Sequence, residues 1–301
     1  MNHTENRWLN WWHALRPKTL TLAATPVLVG NSWAFAFQGE VALWPIFLTL
    51  MAAMSVQAGT NLYNDAADFE RGVDQPGRLG PTRAVASGQI SAWRVYLGAH
   101  ISFTIAWIAG CYLIWMGGWF IFLLATLSTL AGYAYTAGPR PISTTPLGEL
   151  TVFLFFGVVA VVGSFFLQTG LVNLTAVALG GLVGLPAAAV LMVNNYRDQV
   201  SDAKAGRRTL AIVLGVEPSQ AVLALLLYSP FPLLLLLPLA IPAILPWLGL
   251  PGIALVSAWR LVVAFRKTPI SPAFNQILAN TARHQAFFGL LLSLALLLSA
   301  V

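Results

Sequence analysis

The sequence predicts an all-α membrane protein with nine transmembrane helices in one integral-membrane domain, residues 1–301. Composition gives the first reason: 58% of the residues are hydrophobic and only 9% are charged, whereas soluble domains carry roughly 25% charged residues. The mean hydropathy of +0.76 agrees with this. The second reason is that long apolar runs recur along the chain, and a spanning helix needs about 20 mostly apolar residues.

The apolar runs of this length follow one another from the N-terminal region to the last residue. The first 18 residues are Trp-rich and amphipathic, which is typical of a helix lying along a membrane surface. Residues 221–265 carry one charge, Arg260, so the boundary within them is placed at the turn-forming segment 246–249. The predicted spans are residues 20–37, 44–64, 93–115, 118–136, 147–168, 172–194, 219–240, 244–265 and 284–301.

Charge predicts the orientation of these spans. All sixteen Lys and Arg fall on one side when the N-terminus is placed in the cytoplasm, and the outer connections carry none. The positive-inside rule therefore predicts an integral protein of a bacterial cytoplasmic (inner) membrane, with a cytoplasmic N-terminus. Nucleic-acid binding is not expected, because the basic residues are spread over five inner segments. A single cysteine, Cys111, excludes an internal disulfide.

Two short polar segments share a pattern, and each stands where an apolar run ends. The first is Asn61-Leu-Tyr63-Asn64-Asp65-Ala-Ala-Asp68, and the second is Asn194-Asn195-Tyr196-Arg197-Asp198-Gln-Val-Ser-Asp202. Spacings of three and four place the aspartates of each segment on one helix face. Carboxylates at a membrane boundary are costly and usually mark function. A basic, glycine-containing loop follows each segment, so the pair also suggests a degenerate internal repeat.

These residue types predict a magnesium and diphosphate site that faces the cytoplasm. Mg²⁺ prefers oxygen ligands and is usually shared between carboxylates and substrate phosphates, and basic side chains neutralise the remaining phosphate charge. The predicted catalytic and metal-binding residues are Asp65, Asp68, Asp198 and Asp202. The predicted diphosphate contacts are Asn61, Asn64, Arg78, Arg83, Tyr135, Arg140, Asn194, Asn195, Lys204 and Arg208, with Arg207 as a further basic candidate.

The chemistry that suits such a site is ionisation of an allylic diphosphate. Metal ions and basic groups stabilise the departing pyrophosphate, and aromatic faces such as Tyr133 and Tyr135 can stabilise the remaining cation. The expected partners are a polyprenyl diphosphate, whose tail stays in the lipid bilayer, and an acceptor. Nucleotide hydrolysis is not expected, because the chain has no Walker-type glycine-rich loop.

At these residues the chain resembles the UbiA-type intramembrane prenyltransferases. The resemblance covers nearly the whole chain and implies nine transmembrane helices, aspartate-rich motifs on the second and sixth, and Mg²⁺-dependent prenyl transfer to acceptors that are often aromatic. The third aspartate of the family's first motif corresponds to Asp74. Segments 15–19, 135–141 and 194–198 resemble in particular the 1,4-dihydroxy-2-naphthoate polyprenyltransferases, which implies decarboxylative prenylation to demethylmenaquinone.

Two other functions remain open from the sequence. A related enzyme of the same fold could use another aromatic acceptor, such as a hydroxybenzoate or a chlorin. A secondary transporter built from repeats would also carry paired polar sites, but transporters tend to place them on broken helices near the bilayer centre. The clustering of acidic residues at one face favours the enzyme.

Overall fold

The computed structural model describes residues 3–72, 79–80 and 83–300, and within these ranges the chain is helical with no β-strand. A helix satisfies its own backbone polar groups, which apolar spans in lipid require. The α-helices are α1 (His3–Leu15), α2 (Pro17–Gln38), α3 (Leu43–Glu70), α4 (Ala92–Thr136), α5 (Gly148–Phe153), α6 (Ala160–Thr169), α7 (Leu174–Lys204), α8 (Leu210–Leu214), α9 (Val216–Tyr228), α10 (Pro230–Leu234), α11 (Gly249–Gly252), α12 (Leu255–Lys267) and α13 (Phe274–Leu298).

The protein is an integral membrane protein with several spanning helices. In the described ranges, seven helical segments are long and apolar enough to cross a membrane. An eighth is added if the bent pair Pro242–Gly252 and Leu255–Lys267 forms one span. Counting continuous helices therefore does not give the nine predicted spans. The remaining difference lies in α4, which counts as one helix.

Helix α4 is 45 residues long and folds back on itself. Gly118 has non-helical backbone angles, φ 60° and ψ −149°, which a residue with a side chain rarely adopts. The hydroxyl of Tyr133 lies 3.3 Å from Nδ1 of His100, although a straight helix would separate these residues by about 50 Å. Residues 92–117 and 119–136 therefore lie side by side, as the predicted spans 93–115 and 118–136 require.

Proline interrupts regular helix within the two predicted spans that follow α7. The predicted span 219–240 corresponds to Val216–Leu239, one of the seven spanning segments, in which α9 ends at Tyr228 and α10 starts at Pro230. Residues 244–265 begin in a 3₁₀ turn, Pro242–Trp247, continue through the short α11 and reach a longer helix in α12. Proline lacks a backbone N–H and clashes with the preceding turn, so closely spaced prolines divide a helix.

The last helix starts ten residues earlier than the predicted span 284–301, at Phe274. Its first turns contain Asn275, Gln276 and Asn280, so an apolar run could not reveal them. Asn275 is held in place from two sides: its Nδ2 donates to the carbonyl of Leu79 at 2.9 Å, and its Oδ1 accepts from Arg197 at 2.9 Å. Polar contacts with the neighbouring segments thus stabilise this end of α13.

Close packing of small residues sets the position of α5 and α6 against α7. A side chain on Gly157 would place its Cβ only 2.5 Å from the carbonyl oxygen of Gly180, so the two backbones touch. Gly157 lies in a π-helical turn, Leu154–Val159, that joins α5 to α6. The opposite face of this segment, including Phe155 and Val159, borders a central cavity.

Helix α1 carries the Trp-rich N-terminal segment. Trp8 and Trp12 are 74% and 48% exposed, whereas Trp11 packs on Gly98 of α4. Exposed tryptophans on one face and an anchoring contact on the other agree with a helix at a membrane surface. The interfacial position of residues 1–18 stays a prediction.

Candidate active site

The two aspartate motifs lie at the C-terminal ends of α3 and α7. Asp65 and Asp68 precede the end of α3 at Glu70, and Asp198 and Asp202 precede the end of α7. All four residues are at most 6% exposed. Buried carboxylates need positive or hydrogen-bonding partners, so the residues that surround them define the site.

Arg207 connects the two motifs. Its Nη2 donates to Oδ1 of Asp68 at 2.6 Å, and its Nη1 donates to Oδ1 of Asp202 at 3.4 Å. Gly206, with φ 74°, reverses the chain after α7, and the backbone N–H of Arg207 then donates to the carbonyl of Asp202 at 2.9 Å. The turn brings a cation back between carboxylates of both helices, so the two motifs form one site.

Arg83 supports the first motif from the loop that follows α3. Its Nη1 lies 2.7 Å from Oδ2 of Asp68 and donates to the backbone carbonyl of Asn64 at 3.1 Å. Arg83 is 8% exposed. Asp68 therefore stands between two guanidinium groups, Arg83 and Arg207, which carry the charge needed to hold phosphate oxygens as well.

Arg197 supports the second motif. It binds Asp198 through two parallel hydrogen bonds, from Nε at 2.8 Å and from Nη2 at 2.6 Å. Its remaining donors reach Oδ1 of Asn194 and Oδ1 of Asn275, both at 2.9 Å. With a relative exposure of 1%, Arg197 is the largest fully buried side chain. This network fixes Asp198 and Asn194 relative to α13.

The two oxygens of Asp65 have different surroundings. Its Oδ2 accepts a hydrogen bond from the backbone N–H of Ala84 at 3.1 Å. Its Oδ1 is buried and has no hydrogen-bond partner among the residues that the structure describes. A buried carboxylate oxygen without a donor is costly, and a cation at this oxygen would offset the cost.

The residues fit a metal ion of the magnesium type. In the ranges that the structure describes, no group of three or more His, Cys, Asp or Glu side chains could hold a metal ion by itself. Mg²⁺ does not need such a cage, since it is usually bound by one or two carboxylates together with substrate phosphates and water. The Oδ1 of Asp65, one helical turn before Asp68 on α3, suits that mode of binding.

The predicted asparagines divide into two groups. Asn64 and Asn194 border the central cavity, as does Asn61. Asn61 also joins α3 to the start of α2, because its Nδ2 donates to the carbonyl of Leu15 at 3.0 Å and to Oγ1 of Thr19 at 2.9 Å. Asn195 does not border the cavity; its Nδ2 donates to Oε1 of the buried Glu149 at 2.9 Å.

Three of the predicted basic contacts are turned towards solvent. Lys204, Arg208 and Arg140 are exposed and do not border the cavity. Arg78, like Asp74, lies outside the described residues. The cations that the fold brings to the aspartates are the predicted Arg83, the further candidate Arg207, and Arg197. The roles predicted for Lys204, Arg208 and Arg140 stay predictions.

Arg16 is a further cation at the cavity, at the start of α2. Within the described chain it is the only residue other than glycine with positive φ, at 52°. Such a conformation is unfavourable for a residue with a side chain and tends to persist at functional sites. Pro17 follows directly, and it excludes the ordinary helical conformation for the residue before it.

The cavity extends from the asparagines into the apolar interior. It has a volume of about 360 Å³ and mostly apolar walls, which come from α2 to α7 and from α13. Along α3 the walls run from Asn64 to Thr49, 15 positions apart, which corresponds to about 22 Å of helix. Tyr135, Phe155 and Phe156 supply aromatic walls. A polar end joined to a long apolar tunnel suits an amphiphile with a charged head.

The comparison with protein families decides the assignment. Residues 23–298 match the UbiA prenyltransferase family. The chain belongs to this family. A 1,4-dihydroxy-2-naphthoate octaprenyltransferase of Bacillus subtilis is 32% identical, over 96% of this chain and 92% of the relative. The enzyme of the same name from Escherichia coli is also 32% identical, over 96% and 95%.

Solved structures of the family share the fold. The structure of a UbiA homologue from Archaeoglobus fulgidus bound to GPP and Mg²⁺ matches with a TM-score of 0.69. It covers 96% of this chain and 99% of that one, at 20% sequence identity. Membership of the UbiA family makes this protein a prenyltransferase rather than the secondary transporter that the sequence left open.

Sequence reasoning missed the role of Arg197 in this UbiA-family site. Its signal was present, because an arginine next to Asp198 at the end of an apolar run must find a partner. The contribution of Arg16 was left open, and the structure places this residue at the cavity. No local signal separates Arg207 from the exposed Arg208, since both follow the same turn.

Arg197 can be tested through stability. Arg197→Met keeps much of the side-chain volume but leaves Asp198 buried without its two hydrogen bonds. We expect a loss of about 3–5 kcal/mol of stability, the usual cost of breaking a buried ion pair. Thermal unfolding in detergent measures it, with Arg208→Met as the exposed control. Equal melting temperatures for the two variants would contradict this structural role.

Proposed function

We propose that this protein transfers a prenyl group from an allylic polyprenyl diphosphate to 1,4-dihydroxy-2-naphthoate, with loss of the carboxylate, in quinone biosynthesis. The observation that carries the proposal is the joining of both aspartate motifs through Arg207, one helical turn beyond the asparagines of α3 and α7 that border an apolar tunnel. The names of the Bacillus subtilis and Escherichia coli relatives support the choice of acceptor.

The donor would bind with its diphosphate at the aspartates and its tail in the tunnel. Asp65, Asp68, Asp198 and Asp202 would hold Mg²⁺, which supplies positive charge to the leaving pyrophosphate. Arg207 and Arg83 would orient the phosphate oxygens as charge builds on them. These arginines already sit within 2.7 Å of Asp68, so small side-chain movements bring them from carboxylate to phosphate.

The tunnel walls would protect the reacting carbon. When the carbon–oxygen bond of the donor breaks, the allylic cation forms beside Tyr135, Phe155 and Phe156, whose aromatic faces stabilise positive charge. Apolar walls exclude water, which would otherwise add to the cation. The electron-rich naphthoate ring then forms the carbon–carbon bond, and the carboxylate leaves as carbon dioxide.

A product assay tests the proposal. Purified protein is incubated with Mg²⁺, geranyl or longer diphosphates, and a panel containing 1,4-dihydroxy-2-naphthoate, a hydroxybenzoate and a chlorin. We expect a prenylated, decarboxylated naphthalene product by mass spectrometry. A product formed with another acceptor only would overturn the acceptor assignment and leave the prenyltransferase assignment intact.

We also propose nine membrane crossings with the active site at the cytoplasmic face. The seven continuous spans, the bent pair and the division of α4 at Gly118 together give nine. The sixteen basic residues then lie at the cytoplasmic side. The ion pair between Asp68 and Arg207 supports a common face for the ends of α3 and α7.

Cysteine labelling tests this topology. In a Cys111→Ser background, Ser87→Cys and Ser201→Cys should resist a membrane-impermeant thiol reagent in intact cells and react after lysis. Gly39→Cys, in the connection between α2 and α3, should react in intact cells. Labelling of positions 87 and 201 from opposite faces would contradict a single site.

A further inference from the structure

The end of the tunnel away from the aspartates, called the far end, is bordered by packed side chains. Leu48, Leu113 and Ile121 form a buried cluster there. Phe120 and Phe166 pack beside this cluster, and their ring centroids lie 4.4 Å apart. A long tail lying in the tunnel therefore runs past this cluster, and the free space beside the cluster limits what can pass.

Gly110 borders the tunnel next to this cluster and leaves free space. A Cβ built on Gly110 would meet no atom within 4 Å, although the residue is buried. The other glycines that border the cavity are crowded: a Cβ on Gly132 would lie 3.2 Å from Thr60, and one on Gly163 would lie 3.3 Å from Leu124. The space at Gly110 thus belongs to the tunnel, not to a neighbouring side chain.

Gly110 lies far from the diphosphate end. Its neighbours Ala109 and Leu113 belong to the same cluster as Leu48, against which Ala52 of α3 packs. Ala52 precedes Asp65 by 13 positions, which corresponds to about 20 Å along the helix. A short prenyl chain would end before this point, whereas a long chain would pass it.

We propose that Gly110 is a specificity-determining residue for donor length. Because it carries no side chain, it admits the part of a long prenyl tail that lies beyond the first isoprene units. The inference rests on the proposed use of an allylic polyprenyl diphosphate as donor, and it is independent of which acceptor is prenylated.

Gly110→Leu tests the inference through donor binding without an acceptor. All-trans donors of 10, 20 and 40 carbons compete with labelled geranyl diphosphate for the purified protein in the presence of Mg²⁺. We expect binding of the 10-carbon donor to stay near wild type, and binding of the two longer donors to weaken by about tenfold, as overpacking a filled space costs about 1–3 kcal/mol.

Two leucine substitutions serve as controls. Gly252→Leu also adds a side chain where nothing lies within 4 Å, but away from the cavity, and it should leave all donors unchanged. Gly132→Leu intrudes near Thr60, close to the asparagines, and should weaken the binding of all donors alike.

The inference is overturned if folded Gly110→Leu weakens the binding of every donor equally or changes the binding of none. If the naphthoate assignment is wrong, only the product assay will show it, because the competition between donors contains no acceptor and its ranking stays the same.

Discussion

Asp65→Asn is expected to lower prenyl transfer by about 10²-fold or more, because it removes a negative charge that would hold Mg²⁺ on the leaving pyrophosphate. Asparagine keeps the shape of the side chain. Its oxygen can still accept from the N–H of Ala84, the bond that Oδ2 of Asp65 now makes at 3.1 Å. The lost charge is that of a buried carboxylate whose Oδ1 has no hydrogen-bond partner in the described part of the chain, so little of the fold depends on it.

Initial rates at several Mg²⁺ concentrations measure this effect, and thermal unfolding reports on folding. Asp198→Asn should show a loss of similar size, but it also disturbs the paired hydrogen bonds of Arg197. The exposed Glu217 provides the control variant Glu217→Gln, which should be as active as wild type. A folded Asp65→Asn protein with near-normal rates would remove Asp65 from the proposed metal site.

Arg207→Gln is expected to lower turnover by about 10²-fold, whereas Arg208→Gln should change it by less than about threefold. The two residues are adjacent in sequence, carry the same charge and differ in placement. Arg207 lies between Asp68 and Asp202, while Arg208 is exposed and makes its observed hydrogen bond to the carbonyl of Thr144 through its backbone. Without Arg207, the carboxylates of the two helices lose their shared cation and a phosphate loses a donor.

The two variants are compared by the KM for the prenyl diphosphate and by kcat. For Arg207→Gln we expect the KM for the donor to rise more than the KM for the acceptor, relative to wild type. We also expect a lower kcat, since phosphate contacts act in binding and in the transition state. If Arg208→Gln were the more damaging change, the basic residue chosen from the sequence would be the functional one. Similar, small effects of both would leave Arg207 with a purely structural role.

The features that local sequence could predict are those that depend on hydrophobicity and helical spacing. The spans at α2, α3, α5–α6 and α7 and the hairpin in α4 follow from apolar runs with polar or glycine-containing breaks. The alignment of Asp65 with Asp68, and of Asp198 with Asp202, follows from spacings of three and four. Hydropathy does not predict where prolines interrupt regular helix within the spans 219–240 and 244–265, because it does not register the missing backbone donor.

By itself, the sequence determined that this protein lies in a membrane, that it carries two matched aspartate motifs, and that the motifs stand at the ends of helices. These properties are local, so neighbouring residues specify them. Only the tertiary structure decided which cations serve the motifs, because the turn at Gly206 and the polar start of α13 bring Arg207 to Asp68 and Asn275 to Arg197. It also decided which apolar residues face the tunnel: in a chain that is apolar on all sides of its helices, hydrophobicity does not distinguish a wall of the cavity from a lipid-facing surface.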